Sequence, residues 1–322
     1  MKRAPQRSRV GYFGKIPARS DFIRAADNAA LVDLLDQWLA GVMSALTADP
    51  RWKQHYDALA PLHFAFVGTR SKRAIAGRLI ASGDQSQRRY PFLAMSTLDI
   101  AAPPAFLARS PLVLAPLWRE LARQCGAVLA TAEPGERLHA LAAVTLELDP
   151  DAATHDDDFL RFLDSHSLAG LEMMLASKTV RQTVLALGLL LQPVRGSGAA
   201  RLERSLALPL PQEEEHRFLV AAFWLDLIAP FLQQADFELA LFFTELYGRP
   251  TLVVGFDGAA PATLLAIIDA RCASEQLIDC ADTGWVEMML GDQAGVQKLS
   301  TYLEQGQLSL RSVHALFHET FV

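Results

Sequence analysis

Three short apolar segments with brief connections constrain the fold of this chain more than any other feature. His63 to Val67, Ala74 to Ala81 and Pro91 to Leu98 are rich in Phe, Ile, Val and Leu, which predicts three strands. The connections, Gly68 to Arg73 and Gly83 to Tyr90, are too short to hold a crossover helix. We therefore expect an antiparallel meander in an α+β (α/β) domain, and not a doubly wound parallel sheet.

Amphipathic helices are predicted on both sides of this meander in the sequence. Apolar residues recur at helical spacing from Leu31 to Leu46 and again from Leu112 to Leu129. Trp52 and Tyr56, four residues apart, predict a short helix between them. The apolar stripes indicate helices that pack on the sheet and bury one face.

The most distinctive motif precedes the first helix and runs from Gly11 to Pro17 as Gly-Tyr-Phe-Gly-Lys-Ile-Pro, followed by Asp21-Phe22. Its alternation predicts a strand, which Pro17 ends because proline has no N–H for the ladder. Lys15 does not lie in a phosphate loop, since the spacing Gly-x-x-x-x-Gly-Lys-Ser/Thr is missing. A helix is predicted to begin near Asp21.

This motif resembles the opening of the TagF family, accessory proteins of bacterial type VI secretion. The resemblance covers residues 9 to 98, is weaker from Phe242 to Ile268, and departs from the family pattern at Ser20, Gln87 and Arg89. Further residues fit the family pattern: Trp38, Trp52, Tyr56, Pro61, Phe64, Gly77, Ser82, Asp84, Arg88 and Pro91.

The resemblance implies a longin-like or profilin-like N-terminal domain and a non-enzymatic, cytoplasmic repressor of type VI secretion. It also implies a partner, the forkhead-associated-domain protein of the same apparatus, and no cofactor. The residues it marks, together with Arg89 of the adjacent basic loop, are candidates for structural or interaction roles: Gly11, Gly14, Lys15, Pro17, Asp21, Ser82, Asp84, Arg88, Arg89 and Pro91.

The second half of the chain predicts two further units after an N-terminal domain of residues 1–132. Residues 133–208 have helical patterns, with helices from Leu138 to Leu148 and Val180 to Leu191 and a linker near 193–211 that includes Gly196-Ser197-Gly198. Residues 209–322 predict a smaller α/β domain, with a hairpin turning at Tyr247-Gly248 in a second sheet and another strand from Val286 to Leu290.

Composition narrows the function classes. The net charge of −6 combines an excess of +7 over residues 1–100 with −13 over residues 101–322, which indicates an acidic partner or attraction between the halves. Aromatic residues are not interleaved with the basic ones in an RNA-binding pattern, so nucleic acid is not expected. No secretory signal or membrane-inserted segment is predicted. Three unpaired cysteines favour a reducing cytoplasm.

Tests for catalytic and metal motifs favour structural interpretations. The acidic segment from Asp149 to Asp158 lacks the glycine and glutamate of an EF-hand loop and is interpreted as helix caps. His314 and His318, at i and i+4, are interpreted as structural or solvated residues and not as zinc ligands. No catalytic residue and no metal site is therefore assigned.

Two questions stay open at this point. The basic residues between Gly68 and Tyr90 form either solvated hairpin tips or a positive patch for a partner: Arg70, Lys72, Arg73, Arg78, Arg88 and Arg89. The alternatives to a repressor are a hydrolase or nucleotide-binding enzyme that uses Lys15, Asp21, Asp84 and Arg88, or a structural accessory subunit of the secretion machine. The oligomeric state is open.

Overall fold

The computed structural model describes residues 5–195, 198–199, 201–289 and 293–322. The strands are β1 (Gln6–Arg9), β2 (Gly11–Gly14), β3 (Ile23–Ala25), β4 (Leu62–Gly68), β5 (Arg73–Ile80), β6 (Phe92–Asp99), β7 (Thr145–Leu148), β8 (Ser205–Pro209), β9 (Glu238–Leu246), β10 (Arg249–Gly255) and β11 (Leu277–Asp279). The helices are α1 (Ala29–Leu46), α2 (Trp52–Asp57), α3 (Pro103–Leu129), α4 (Gly135–Ala143), α5 (Asp156–Ser165), α6 (Leu168–Met174), α7 (Val180–Leu191), α8 (Glu214–Leu232), α9 (Pro261–Ile268), α10 (Ala270–Gln276), α11 (Val286–Met289), α12 (Ala294–Leu303) and α13 (Leu310–Phe321), with short 3-10 turns at Ala152–His155 and Gln192–Val194.

The main sheet has nine strands in the order β11-β8-β10-β9-β4-β5-β6-β2-β3. All neighbours in it are antiparallel except β11 and β8. The predicted meander is confirmed as β4, β5 and β6, and the first motif is strand β2 beside β6. An antiparallel sheet flanked by helices is therefore the architecture, as both the spacing and the family resemblance implied.

The prediction of a second, smaller sheet in residues 209–322 is wrong. The hairpin of β9 and β10 joins the first sheet, because β9 pairs with β4 from His63 to Gly68, with Phe64 opposite Phe242. A strand pattern predicts that a segment is extended, but it does not predict which strand lies beside it. In the predicted meander one edge of β4 had no neighbouring strand, and β9 pairs there. The division into units 1–132, 133–208 and 209–322 stays a prediction about independent folding.

The strands bury alternate side chains on both faces. Phe64 and Phe242 face a layer made by α1, α2, α9 and α10. Ala65 and Phe243 face the opposite layer, where α3 and α8 lie against the sheet. Trp118 of α3 donates its indole N–H to the Phe64 carbonyl oxygen at 3.2 Å. The sheet is thus covered on both faces, which explains the nearly continuous burial of its central strands.

Three local predictions were wrong. The helix predicted from Leu138 to Leu148 ends at Ala143, and β7 follows and pairs with β1 in a two-stranded sheet. The linker predicted near 193–211 contains β8, which adds to β10; Gly196 and Ser197 lie outside the described residues. Val286–Met289 is helical and not a strand, and Leu290 is likewise outside the described residues. β1 and β7 are short, and β8 lies among prolines, so their patterns were weak.

Among the residues that the structure describes, one helix, α1, is long and apolar enough to cross a membrane by length and composition. In the fold its apolar face, including Leu35, Trp38 and Leu39, packs against the sheet and is buried. Asn28 caps its N-terminus by accepting a hydrogen bond from the Leu31 N–H at 3.1 Å. The helix predicted to begin near Asp21 therefore begins after β3.

Candidate functional site

The geometry of the opening motif is set first by its glycines. Gly14 has φ +126°, and a Cβ there would lie 2.1 Å from the carbonyl oxygen of Pro91. Only glycine fits this approach between β2 and the start of β6. At Gly11 a Cβ would lie 2.9 Å from the Cβ of Ala26. These two motif residues thus have a backbone role, which brings Lys15 next to the loop between β5 and β6.

Lys15 lies in a buried ion network with two other residues of the motif set. Its Nζ donates to Oδ2 of Asp84 at 2.9 Å, and the two side chains are 9% and 0% exposed. Arg88 donates from Nε to the same Oδ2 at 2.7 Å and from Nη2 to the carbonyl oxygen of Ser20 at 2.7 Å. Residues far apart in sequence are thus joined into one cluster that ties the loop after β2 to the loop after β5.

The carboxylate of Asp84 is fully occupied. Besides Lys15 and Arg88, it accepts hydrogen bonds at Oδ1 from the backbone N–H groups of Ser86 at 3.0 Å and Arg88 at 2.9 Å. Burial raises the pKa of Asp84, but the Arg88 backbone N–H, Lys15 and the Arg88 side chain together outweigh it and hold the pKa well below its ordinary value. A carboxylate with four donors is suited to structural anchoring and poorly suited to proton transfer.

The remaining motif residues lie near this network but make their own, separate contacts. Asp21 is exposed, and its Oδ1 accepts a hydrogen bond from the Phe22 N–H at 2.8 Å instead of meeting a cation of the network. The N–H and the carbonyl oxygen of Ser82 both bond to the Tyr56 hydroxyl, each at 2.9 Å. Arg89 pairs with Asp57, with Nε 2.8 Å from Oδ1. Pro17 is exposed at the end of the motif.

Phe22 is the feature of this region that the sequence reasoning noted but did not select. Its ring is 50% exposed, lies 4.9 Å from Nζ of Lys15 and meets the ring of Tyr90 edge-on at 4.9 Å. Arg19 and the Arg88 side chain are exposed in the same two loops. We call residues 17–22 and 85–88 the motif-loop surface. An aromatic residue inside a polar loop was the signal that could have identified it.

The six basic residues between Gly68 and Tyr90 do not form one patch. Arg70, Lys72 and Arg73 lie at one end of β5, and Arg88 and Arg89 lie beyond its other end. A strand of this length separates the two groups by about 25 Å. Near the first end, Arg73 pairs with Asp99 and the other two donate to backbone carbonyl oxygens. The interpretation as a single positive patch is therefore wrong.

Arg78, the sixth basic residue, lies along β5 and points toward the helical layer of α3. Its Nη1 contacts Nε2 of His63 at 3.0 Å, and the ring of His63 lies 5.7 Å from that of Trp118. Burial, followed by the charge of Arg78, lowers the pKa of His63 to about 3. This histidine is therefore neutral near pH 7 and has a packing role.

A family model matches the part of the chain that contains this ion network. The family model described as TagF N-terminal domain, Type VI secretion system-associated, matches residues 11–144. Residues 11–144 therefore correspond to a TagF N-terminal domain. The resemblance stated from the motif residues is thus confirmed over residues 11–144, the region matched by a family model described as type VI secretion system-associated. Gly14, Lys15, Asp84 and Arg88, which hold the two loops together, all lie inside the TagF N-terminal domain.

One solved structure with similarity to this chain is that of PA0076 from Pseudomonas aeruginosa PAO1. The two proteins share 21% sequence identity, with a TM-score of 0.36, over 44% of this chain and 64% of the other. This chain thus spans slightly less than two thirds of the length of PA0076. No match was found among curated proteins.

In the described part of the chain, two groups of histidine and carboxylate side chains have ligand atoms within 4.8 Å of one another, close enough to bind a shared metal ion. One is Asp226 with His314 and His318, and the other is Asp49 with His55 and Asp269. The acidic segment after β7 has a different use: Asp149 accepts from the Asp151 N–H at 3.0 Å and from the Thr154 hydroxyl at 2.8 Å. Asp149 thus caps a turn and not helix α5 as predicted, since the N-cap residue of α5, His155, makes no side-chain cap hydrogen bond.

Proposed function

We propose that this protein is a non-enzymatic, post-translational repressor of type VI secretion assembly that acts in the cytoplasm by binding a forkhead-associated-domain protein of the apparatus. The observation that carries the proposal is the TagF N-terminal domain over residues 11–144. Cys125 and Cys280, both buried, and the half-buried Cys272 fit a reducing compartment, because none of them pairs with another.

The ion network favours a binding role over catalysis. An enzyme that used Lys15 as a phosphate ligand and Asp84 as a base would need both groups free to meet a substrate. Lys15 and Asp84 are close enough for shared chemistry, at 2.9 Å, but each is occupied by the other and buried. Asp21, the third group of the enzyme alternative, is engaged in its own turn.

We place the partner contact on the motif-loop surface. Phe22 supplies an exposed aromatic ring whose position is held by Lys15 and Tyr90, which lowers the entropy that binding must remove. Arg19 and Arg88, exposed in the same two loops, add positive charge that suits an acidic or phosphorylated protein face. Aromatic and arginine side chains in this arrangement are typical of binding hot spots.

The test is a pull-down of the tagged protein from its native bacterium, with wild type beside Phe22→Asp, followed by mass spectrometry. We expect wild type to recover the forkhead-associated-domain protein and the variant to recover at least about 10-fold less. In a strain lacking the wild-type gene, Phe22→Asp should fail to restore repression of secretion. Phe22 is preferable to Arg88 or Arg89, because charge reversal at these would break the contacts with Asp84 and Asp57.

Tyr247→Asp is the matched control, since Tyr247 is an exposed aromatic residue, 74% accessible, in the turn between β9 and β10. It should bind and repress as wild type does. Equal recovery by Phe22→Asp and wild type would exclude the motif-loop surface as the interface. If wild type recovered baseplate or sheath components in fixed stoichiometry and no forkhead-associated protein, the structural-subunit alternative would replace the repressor.

A further inference from the structure

Helix α13 presents two histidines to a carboxylate on helix α8. His314 and His318 are one helical turn apart, and their ring centroids are 4.2 Å apart. His314 Nε2 lies 2.5 Å from Oδ2 of Asp226. One ligand atom from each of the three residues lies within 4.8 Å of the other two. Two imidazoles at i and i+4 plus one carboxylate is a donor set of the kind that binds zinc.

The imidazole nitrogens of this group are incompletely satisfied by hydrogen bonds, although Nε2 of His314 contacts Oδ2 of Asp226. Nε2 of His314 and Nε2 of His318 are both buried, and neither makes an aligned hydrogen bond within the described part of the chain. Buried polar nitrogens normally have a partner. A metal ion bound by both nitrogens would satisfy them, since neutral imidazole coordinates through its free lone pair.

Asp226 is held in place from its other side. Its Oδ1 accepts a hydrogen bond from Nη1 of Arg109 at 2.5 Å, and Nε of Arg109 donates to Asp156 at 2.9 Å. Oδ2, the oxygen nearer His314, therefore faces the histidines. Carboxylates that bind metals commonly have their second oxygen fixed by such an outer partner. Arg109 is a positioning residue in this arrangement.

The group borders a cavity of about 810 Å³ between α3, α8 and α13. Arg109, Asp156, Asp226, His314 and His318 all line it. An ion can thus enter from solvent, and water can complete its coordination. Zinc bond lengths of about 2.0–2.2 Å place two ligand atoms about 3.3 Å apart. His314 Nε2 and Asp226 Oδ2, now 2.5 Å apart, must therefore separate by about 0.8 Å when the ion binds.

We propose that His314, His318 and Asp226 bind one divalent transition-metal ion of the zinc class, with water in the remaining position. The ion displaces the proton between His314 and Asp226 to solvent and links α13 to α8. This departs from the interpretation of the histidine pair as structural, because Asp226, 88 residues before His314 in the sequence, supplies the third ligand. The three ligands lie outside residues 11–144, and the proposal is independent of the repressor function.

The second group, Asp49, His55 and Asp269, is not proposed as a metal site, because an arginine already takes the place of a cation. Nη2 of Arg271 contacts both carboxylates, lying 2.8 Å from Oδ2 of Asp269, and so occupies the position of a cation. The group has one histidine, whose Nδ1 is 3.7 Å and 3.6 Å from the two carboxylates. Zinc sites in proteins favour nitrogen and sulfur ligands, and this group is mostly oxygen.

Metal binding to the untagged, chelator-treated full chain tests the proposal. Isothermal titration with Zn²⁺ should give one equivalent bound, and Co²⁺ should give visible absorption bands of a low-symmetry site. His314→Gln and His318→Gln should each weaken Zn²⁺ binding at least about 10-fold. His55→Gln, the matched control in the second group, should bind Zn²⁺ as wild type does.

A second measurement keeps the test decisive if the histidine variants fold poorly. Diethylpyrocarbonate modifies accessible histidines, and mass spectrometry of the wild-type chain can locate each adduct. Zn²⁺ should protect His314 and His318 but leave His55 modified to the same extent. Absence of stoichiometric Zn²⁺ binding, binding lost in His55→Gln, or protection at other histidines only would overturn the proposal.

Discussion

Asp84 shows how one side chain joins parts of the chain that are distant in sequence. It is 69 residues from Lys15, yet the two form a buried pair at 2.9 Å, with Arg88 as a third member. A buried carboxylate is unfavourable unless its oxygens are paired, and here both are. The network is therefore stabilising only while it is complete, which makes each member sensitive to substitution.

Asp84→Asn should destabilise the protein, because Lys15 stays buried without its counter-charge and the new amide N–H₂ faces two cations. We expect the melting temperature to fall on the order of 5–10 °C at pH 7, measured by circular dichroism. Asp21→Asn, which changes an exposed turn carboxylate, is the control and should melt within about 2 °C of wild type. Equal melting of Asp84→Asn and wild type would contradict a stabilising network.

The loss of stability caused by Asp84→Asn should depend on pH. The pKa of Asp84 is lowered in the folded protein, so its contribution to stability is complete above the unfolded value of about 3.9 and is lost as the pH falls below it. The difference in stability between wild type and Asp84→Asn should therefore be constant near neutral pH and shrink in acid. Denaturant unfolding at pH 7 and pH 3 measures it.

At the scale of elements, the position of α13 depends on a close contact with α7. A Cβ added at Gly188 of α7 would lie 2.2 Å from the ring of Phe321, a buried residue at the end of α13. Ser309 caps the start of α13 by accepting from the Ser312 N–H at 3.2 Å. Both ends of α13 are thus fixed, and the histidines between them are held against α8.

Gly188→Ala should cost about 1–3 kcal/mol in unfolding free energy, because the added methyl group overpacks the contact with Phe321. Combining it with Phe321→Ala should cost less than the sum of the single changes, since the clash disappears. Urea denaturation of all three variants measures the coupling.

Gly126→Ala provides the control for this prediction, because a Cβ at Gly126 of α3 meets nothing within 4 Å. It should leave the protein unchanged or stabilise it by about 0.5–1 kcal/mol through higher helix propensity. Additive costs of Gly188→Ala and Phe321→Ala would mean that the two helices do not share this contact.

At the scale of the whole molecule, one sheet connects the two halves of the chain. β4 from the TagF N-terminal domain pairs with β9 from the second half. Across this seam Trp38 lies 5.0 Å from Phe66 and 6.1 Å from Phe242, measured between ring centroids. Aromatic contacts of this kind add to burial, so the second half completes the core of the first.

A fragment of residues 1–150 should therefore be unstable alone, because it exposes the edge of β4 and the apolar side chains that contact Phe242. We expect it to aggregate or elute as high-mass species on size exclusion. Co-expression with residues 151–322 should yield a soluble complex. A monomeric fragment with a cooperative melt would instead support the division of the chain into independent units.

The sequence alone determined the local features of this protein. Apolar alternation and short connections defined the β4–β5–β6 meander and the hairpin of β9 and β10, and helical spacing defined α1, α7 and α8. These elements depend on residues close together in the chain, and their periodicity is visible in sequence. Of the candidate site residues, the family resemblance marked Lys15, Asp84 and Arg88, which the structure joins, and also Asp21, which lies outside the ion network.

Only the tertiary structure decided which of these elements meet. The pairing of β4 with β9, the pairing of β7 with β1 and the meeting of Asp226 with His314 all join residues far apart in the chain. Any extended segment with an apolar face satisfies the local pattern of a strand, whereas its neighbour is selected by the shared burial of whole faces. The ligand geometry at α13 and the exposure of Phe22 follow from that packing.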